Sequence, residues 1–257
     1  MVELLSRKPG LRRSPRSSSL TGKAEVRGRA DIALLLDITA SMSEFIQQLK
    51  GNLAGLIKNV LESVTKDYGV VRPEMRFAIM GFRDLEDDPI KGIVIPKLQF
   101  SSMQSDLVEF LGSTAMKAEG GELHVGESAL DAIYRALDRL EWDRPVKLIF
   151  LFTDSTPKKS LHSSSLEGKA SGAVESMELL SRKIIESKAR VIIFGPAGVE
   201  EFRKIGTLDY CRYIELEVAN GDIPAFSNSD LFREKVLEVL GALIPKESIT
   251  PTGMFLS

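Results

Sequence analysis

Three short, uninterrupted apolar runs constrain the fold more than any other feature of this sequence. They are residues 32–36, 148–152 and 191–194. Continuous rather than alternating apolar character is typical of strands that are covered on both faces. Stretches with the three-to-four spacing of an amphipathic helix separate these runs, as between the strands of a parallel sheet with crossover helices.

The order of the elements predicts an α/β fold in a single domain. We expect strands at residues 31–36, 76–82, 92–100, 146–152, 190–194 and 211–217. We expect helices at residues 45–64, 104–111, 127–140, 173–187, 199–205 and 229–244. No helix separates the second and third strands, so a hairpin should put one antiparallel strand at an edge, where Pro96 would be tolerated. The prediction is a Rossmann-like three-layer αβα sandwich with a mostly parallel six-stranded sheet and one antiparallel edge strand.

Charge and composition divide the chain and exclude some functions. Residues 1–29 carry eight basic and two acidic residues, whereas the whole chain has a net charge of −2. We expect a disordered basic tail over residues 1–28, the domain over 29–247 and a C-terminal tail over 248–257. A mildly acidic body is not typical of a nucleic-acid-binding domain. No apolar stretch is long enough to span a membrane, and no secretory signal is expected; an organelle transit peptide is the weaker alternative.

Cysteine usage favours a reducing compartment. Cys211 is the only cysteine, so no intrachain disulfide can form. We therefore expect a cytoplasmic protein.

The first apolar run ends on a group of oxygen-bearing side chains. Asp37, Thr39 and Ser41 alternate along the loop that leads into the longest predicted helix. A carboxylate and two hydroxyls at this spacing can converge on a hard cation. The alternative is a capping box, in which Ser41 only caps the helix and Glu44 reaches back to it.

A second apolar run also finishes near an aspartate, which favours the cation over the cap. Asp154 follows the strand predicted at residues 146–152. If the two strands are neighbours, Asp37 and Asp154 lie at the same edge of the sheet, where ligands of α/β proteins gather. Two such carboxylates repel each other, and a divalent cation relieves that repulsion.

These motifs resemble those of the von Willebrand factor type A (vWA) family and its metal-ion-dependent adhesion site. Asp37-Ile-Thr39-Ala-Ser41 is similar to the Asp-x-Ser-x-Ser element of the family, with threonine in place of the first serine. The segment ending in Arg83-Asp84 resembles the second strand of intracellular and prokaryotic members, and the Thr-Asp turn at Asp154 resembles the end of their fourth strand. The resemblance covers residues 30–245.

The family's threonine, which follows a Gly-Gly pair, is replaced here. Gly120-Gly121 is followed by Glu122, and His124 is the other candidate in this loop. The resemblance implies a site made by Asp37, Thr39, Ser41, Glu122 and Asp154 that holds Mg²⁺, or Mn²⁺ or Ca²⁺, and leaves one position for an acidic side chain of a partner protein. A third carboxylate would hold the ion more tightly and make it less electrophilic.

The expected function is a non-enzymatic, metal-dependent protein-interaction module in an intracellular multiprotein system. The alternative is a metal-dependent hydrolase or phosphotransferase on a Rossmann-like sheet, although the sequence contains no glycine-rich phosphate loop and no obvious general base. A third possibility is a metal-free structural domain. Two further side chains stay open at this point: Asp84 either lines the crevice, pairs with Arg83 or caps a turn, and Lys158 is either solvated or attracts an acidic partner.

Overall fold

A six-stranded sheet forms the centre of the protein in the computed structural model. The structure describes residues 26–27, 29–68, 74–87, 92–96, 99–120, 126–168, 171–209, 211–216 and 250–251. The strands are β1 Val26–Arg27, β2 Arg29–Asp37, β3 Glu74–Phe82, β4 Ile93–Val94, β5 Val146–Phe152, β6 Ala189–Pro196, β7 Arg212–Leu216 and β8 Thr250–Pro251. The helices are α1 Ser43–Tyr68, α2 Gln104–Gly112, α3 Ala129–Arg139, α4 Ala173–Ser187 and α5 Glu200–Gly206.

The strand order brings the two apolar runs that precede the aspartates side by side. The sheet has the order β4-β3-β2-β5-β6-β7, in which only β4 runs antiparallel, at one edge. Strand β2 pairs in parallel with β3 on one side and with β5 on the other, and Leu36 is level with Phe152. The predicted fold class, including the antiparallel edge strand, is therefore confirmed.

Both faces of the sheet are covered, as the continuous apolar runs predict. Alternate side chains of β2 enter different cores: Leu34 and Leu36 face the core that includes α1 and α2, whereas Ala33 and Leu35 face the core that includes α3, α4 and α5. All four side chains are at most 5% exposed. Two cores separated by one sheet hold β2 rigidly, and with it the start of the loop after Asp37.

The strand predicted at residues 92–100 is wrong in extent. Among the described residues of this segment, only Ile93–Val94 pairs with β3 as a strand, and Ser101 makes a separate antiparallel bridge to Phe77. Pro96 has no backbone N–H to donate, so a regular ladder cannot continue through it.

Some predicted segments fall outside the described residues. These include the helix at 229–244 and most of both tails. Within the tails, β1 pairs antiparallel with β8. Among the described helices, none is both long and apolar enough to cross a membrane.

Candidate cation site at the carboxyl edge of the sheet

Asp37 is fully buried and is held by hydroxyls. Its Oδ1 accepts hydrogen bonds from the backbone N–H of Thr39, at 3.0 Å, and from Thr39 Oγ1, at 2.7 Å. Its Oδ2 accepts a hydrogen bond from Thr153 Oγ1 at 2.7 Å. Asp37 is 0% exposed. The carboxylate therefore fixes the loop after β2 and the end of β5 at the same time.

The aspartate at the other end of β2 shows what a purely structural carboxylate looks like in this fold. Asp31 is also fully buried, but Arg76 donates to both of its oxygens at 2.8 Å. The backbone N–H groups of Asp143 and Arg144 complete its hydrogen bonding. In the described part of the chain, Asp37 has no such cationic partner.

The two hydroxyls after Asp37 lie together, and neither caps a helix through its side chain. Thr39 Oγ1 and Ser41 Oγ are 3.2 Å apart. The chain forms a 3-10 turn over Ala40–Met42 before α1 begins at Ser43, and Thr39, not Ser41, is the N-cap of that turn. The side chain of Glu44 accepts instead from Gln48. The capping-box alternative is wrong because the extra turn moves the helix start beyond Ser41.

The spacing of these hydroxyls fits a divalent cation. Two ligands at right angles on an ion lie about 3.0 Å apart when each bond is about 2.1 Å, as for Mg²⁺, and about 3.4 Å apart for the longer bonds of Ca²⁺. The observed 3.2 Å lies between these values. Because Thr39 Oγ1 donates its proton to Asp37, Ser41 Oγ is the donor in the hydrogen bond between the two hydroxyls, and a bound ion would replace that hydrogen bond.

Asp154 contributes to the electrostatics of the same edge. Burial is the main cause that raises the pKa of Asp37 to about 6; the negative charge of Asp154 adds to this increase, whereas hydrogen bonds from Thr153 and Thr39 act in the opposite direction. Strands β2 and β5 are neighbours, as the prediction requires, and the charge of Asp154 contributes to the raised pKa of Asp37.

The Gly-Gly loop begins against the loop of Asp37. Glu119 donates its N–H to Ile38 O, and Gly120 O accepts from Ala40 N–H, both at 3.1 Å. Glu122 and His124, the two candidates for the threonine position, lie outside the described residues.

Asp84 and Lys158 form an ion pair. Lys158 Nζ lies 3.0 Å from Asp84 Oδ2 and 2.8 Å from Glu86 Oε2. Although burial lowers it, hydrogen bonds to Glu86 and Asp84 raise the pKa of Lys158 above its ordinary value. Asp84 Oδ1 also accepts the N–H of Glu86, which confirms the turn-capping alternative. Lys158 is thus neither simply solvated nor free to attract a partner.

Glu127 is a buried acid that the sequence prediction treated only as the first residue of a helix. It lies just before α3 and is 3% exposed. Burial, assisted by the negative charges of Asp37, Asp84, Asp87 and Asp154, raises the pKa of Glu127 to about 8. Its position after Gly126 in a glycine-containing loop is the one sequence signal that could have drawn attention to it.

The acidic side chains do not form a metal cluster by themselves. In the parts of the chain that the structure describes, no three acidic, histidine or cysteine side chains lie close enough together to hold an ion. A cation here would therefore need the hydroxyls of Thr39 and Ser41 as ligands.

Comparison with known proteins identifies structures with a similar fold. Neither the family models nor the curated proteins contain a match to this chain. Two crystal forms of proximal thread matrix protein 1 from the mussel byssus are similar to it in structure, both with a TM-score of 0.51. The fold is vWA-like.

The vWA-like similarity is distant in sequence. The identities are 15% and 16%, and the alignments cover 84% and 88% of this chain. The alignments cover 49% of the mussel chains, so this chain spans about half of their length. At this sequence identity, the structural similarity shows only that the two proteins arrange their strands and helices in the same way.

Proposed function

We propose that this chain is a non-enzymatic interaction module that binds a divalent cation at the Asp37 edge and recognises an acidic side chain of a partner protein. The site would comprise Asp37, Thr39, Ser41 and Asp154, together with Glu122. Mg²⁺ is the ion that we favour, with Mn²⁺ or Ca²⁺ as the alternatives.

The observation that carries this proposal is the arrangement of Thr39 around Asp37. The Thr39 hydroxyl donates its proton to Asp37 and accepts a 3.2 Å hydrogen bond from Ser41 Oγ, so the two hydroxyl oxygens lie side by side and an ion would take the place of the hydrogen bond between them. A structural hydroxyl pair would more commonly complete its hydrogen bonds with backbone groups. The contrast between Asp37 and the Arg76-paired Asp31 supports the same proposal.

The chain's own groups have distinct tasks in this proposal. Thr39 and Ser41 would contact the ion, and the two aspartates would balance its charge directly or through water. Thr153 holds Asp37 in position by its hydrogen bond to Oδ2. The ion would supply a Lewis-acidic position for the incoming carboxylate of the partner.

Calorimetric titration of the full chain with Mg²⁺ and Mn²⁺ tests the proposal. We expect saturable binding to the wild type and none to Asp37→Ala. Asp106→Ala is the matched control, because Asp106 is a partly exposed acid near the start of α2 that hydrogen-bonds to Ser101. Equal binding by wild type and Asp37→Ala contradicts the proposal, and turnover of phosphoesters that Asp154→Ala abolishes would favour a hydrolase instead.

We also propose that the protein works in the cytoplasm. Cys211 is a free thiol buried in the core, and burial raises its pKa. A buried thiol of this kind is compatible with a reducing compartment.

A further inference from the structure

We infer that Glu127 is an additional oxygen donor of the cation site, one that the adhesion-site pattern does not contain. The inference rests on the proposed function, since it assigns a residue to the same site. The first observation is that Glu127 Oε2 is buried and has no hydrogen-bond partner among the described residues.

A buried carboxyl oxygen without a partner is costly. Leaving such a group unsatisfied typically costs about 1–3 kcal/mol, and more when it is charged. Native proteins retain few of these groups, and each has an explanation such as strain, a catalytic role, a water molecule or an ion. Glu127 is 3% exposed, so bulk water does not compensate it.

The backbone fixes Glu127 against the loop that carries Asp154. Glu127 N–H donates to Thr156 O at 2.9 Å, and Lys158 N–H donates to Glu127 O at 2.8 Å. Gly126 makes this approach possible, because it has a φ of +98° and a Cβ there would lie 3.2 Å from Thr156 O. The carboxyl of Glu127 is therefore held in place by a main-chain clamp.

The charges around Glu127 point to a cation. The negative charges that raise the pKa of Glu127 are, in decreasing order, those of Asp37, Asp84, Asp87 and Asp154. The nearby ammonium of Lys158 pairs with Asp84 and Glu86. Within the described residues, neither Asp37 nor Glu127 forms an ion pair, and a divalent cation supplies the missing positive charge.

Glu127 belongs to a different segment of the chain than the loop of Asp37. With Glu127, ligands would come from the loops after β2 and β5 and from the segment before α3. Each added carboxylate strengthens the binding of a hard divalent cation. The assigned role is thus to raise affinity for the ion.

Glu127→Gln separates this role from folding, because it preserves the volume and removes the charge. Titration of the full chain with Mg²⁺, Mn²⁺ and Ca²⁺ should show at least tenfold weaker binding by Glu127→Gln than by the wild type. Glu86→Gln is the matched control: it removes the same charge from an exposed side chain at the same edge and should change affinity by less than threefold. In parallel, the metal-free melting temperature of Glu127→Gln should rise, whereas its increase on adding the ion should shrink.

The outcomes distinguish the two claims. If wild type binds, Asp37→Ala does not, and Glu127→Gln binds like wild type, the inference about Glu127 is overturned and the proposed function stands. If Glu86→Gln loses as much affinity as Glu127→Gln, the effect is general electrostatics, and the inference is again overturned. If wild type binds none of the three ions, both fail.

Discussion

Thr153 Oγ1 donates a 2.7 Å hydrogen bond to Asp37 Oδ2 and thereby joins the ends of two neighbouring parallel strands. The same hydroxyl accepts the N–H of Ser155 at 3.1 Å. One threonine thus orients both the buried carboxylate and the turn that contains Asp154. It is a positioning residue, and its removal should affect stability before any ligand is added.

Thr153→Val should destabilise the metal-free protein by about 1–3 kcal/mol, because the buried oxygen of Asp37 loses its donor while the volume stays constant. Urea unfolding at pH 7 measures this change. Thr65→Val is the control: Thr65 is exposed on α1 and its hydroxyl donates to Leu61 O, so we expect a change within about 0.5 kcal/mol. Equal effects of the two substitutions would contradict the positioning role.

The stability of the metal-free protein should fall as the pH rises from about 4.5 to about 8. In this range the unfolded chain loses the proton of Glu127, whereas the folded chain, with a pKa of about 8, retains it. The folded state then binds more protons, so the free energy of unfolding decreases with pH. Asp37, with a pKa of about 6, acts in the same direction at lower pH.

Chemical unfolding at several pH values checks this trend. Glu127→Gln should remove most of the decrease and be more stable than wild type at pH 8, by about 2–5 kcal/mol on the scale of 1.4 kcal/mol per pKa unit. A variant whose pH profile runs parallel to that of the wild type would show that Glu127 titrates normally.

Affinity for Mg²⁺ should decrease as the pH is lowered from 8. Ligand carboxyl groups must lose their protons before they bind a metal, so binding competes with protonation. Between pH 8 and 6, protonation of Glu127 alone lowers the Mg²⁺ affinity by at most about tenfold per pH unit, because its pKa is about 8. Below pH 6 the protonation of Asp37, with a pKa of about 6, makes the affinity fall more steeply. Calorimetry at pH 8, 7, 6 and 5 gives the profile, and a pH-independent affinity would show that neither acid takes part.

Lys158→Met should destabilise the fold by about 2–3 kcal/mol, less than the roughly 3–5 kcal/mol typical of a fully buried ion pair. The carboxylate of Asp84, whose side chain is 2% exposed, would lose its counter-charge, but the Lys158 side chain is 20% exposed and water can partly replace it. Thermal and urea unfolding measure the loss. Lys159→Met, at the exposed neighbouring position, is the control, and adding Asp84→Asn to Lys158→Met should restore much of the stability.

The longest elements could be predicted closely from the sequence. The strand at 146–152 and the helix at 173–187 have the predicted bounds, and the helix predicted at 45–64 extends from Ser43 to Tyr68. Their periodicity is local, so a few consecutive residues contain the whole signal. The strand at 92–100 failed because pairing partners, and not apolar character, decide how far an edge strand extends.

The candidate site was predicted in part. The strands that precede Asp37 and Asp154 are neighbours as expected, and parallel strands end at one edge of a sheet. Glu127 and Lys158 could not be assigned in the same way. The burial of Glu127 follows from its pairing with residues 156–158, about thirty positions further along the chain, which no local pattern encodes.

The sequence by itself determined most strands, most helices and the loop of Asp37, Thr39 and Ser41, because hydrophobic spacing and residue type are properties of neighbouring positions. Only the tertiary structure decided which charges meet: Arg76 neutralises Asp31, Lys158 neutralises Asp84, and Thr153 holds Asp37. The reason is that these contacts depend on strand order and loop approach. They leave Glu127 buried, with no hydrogen-bond partner for its Oε2 among the described residues.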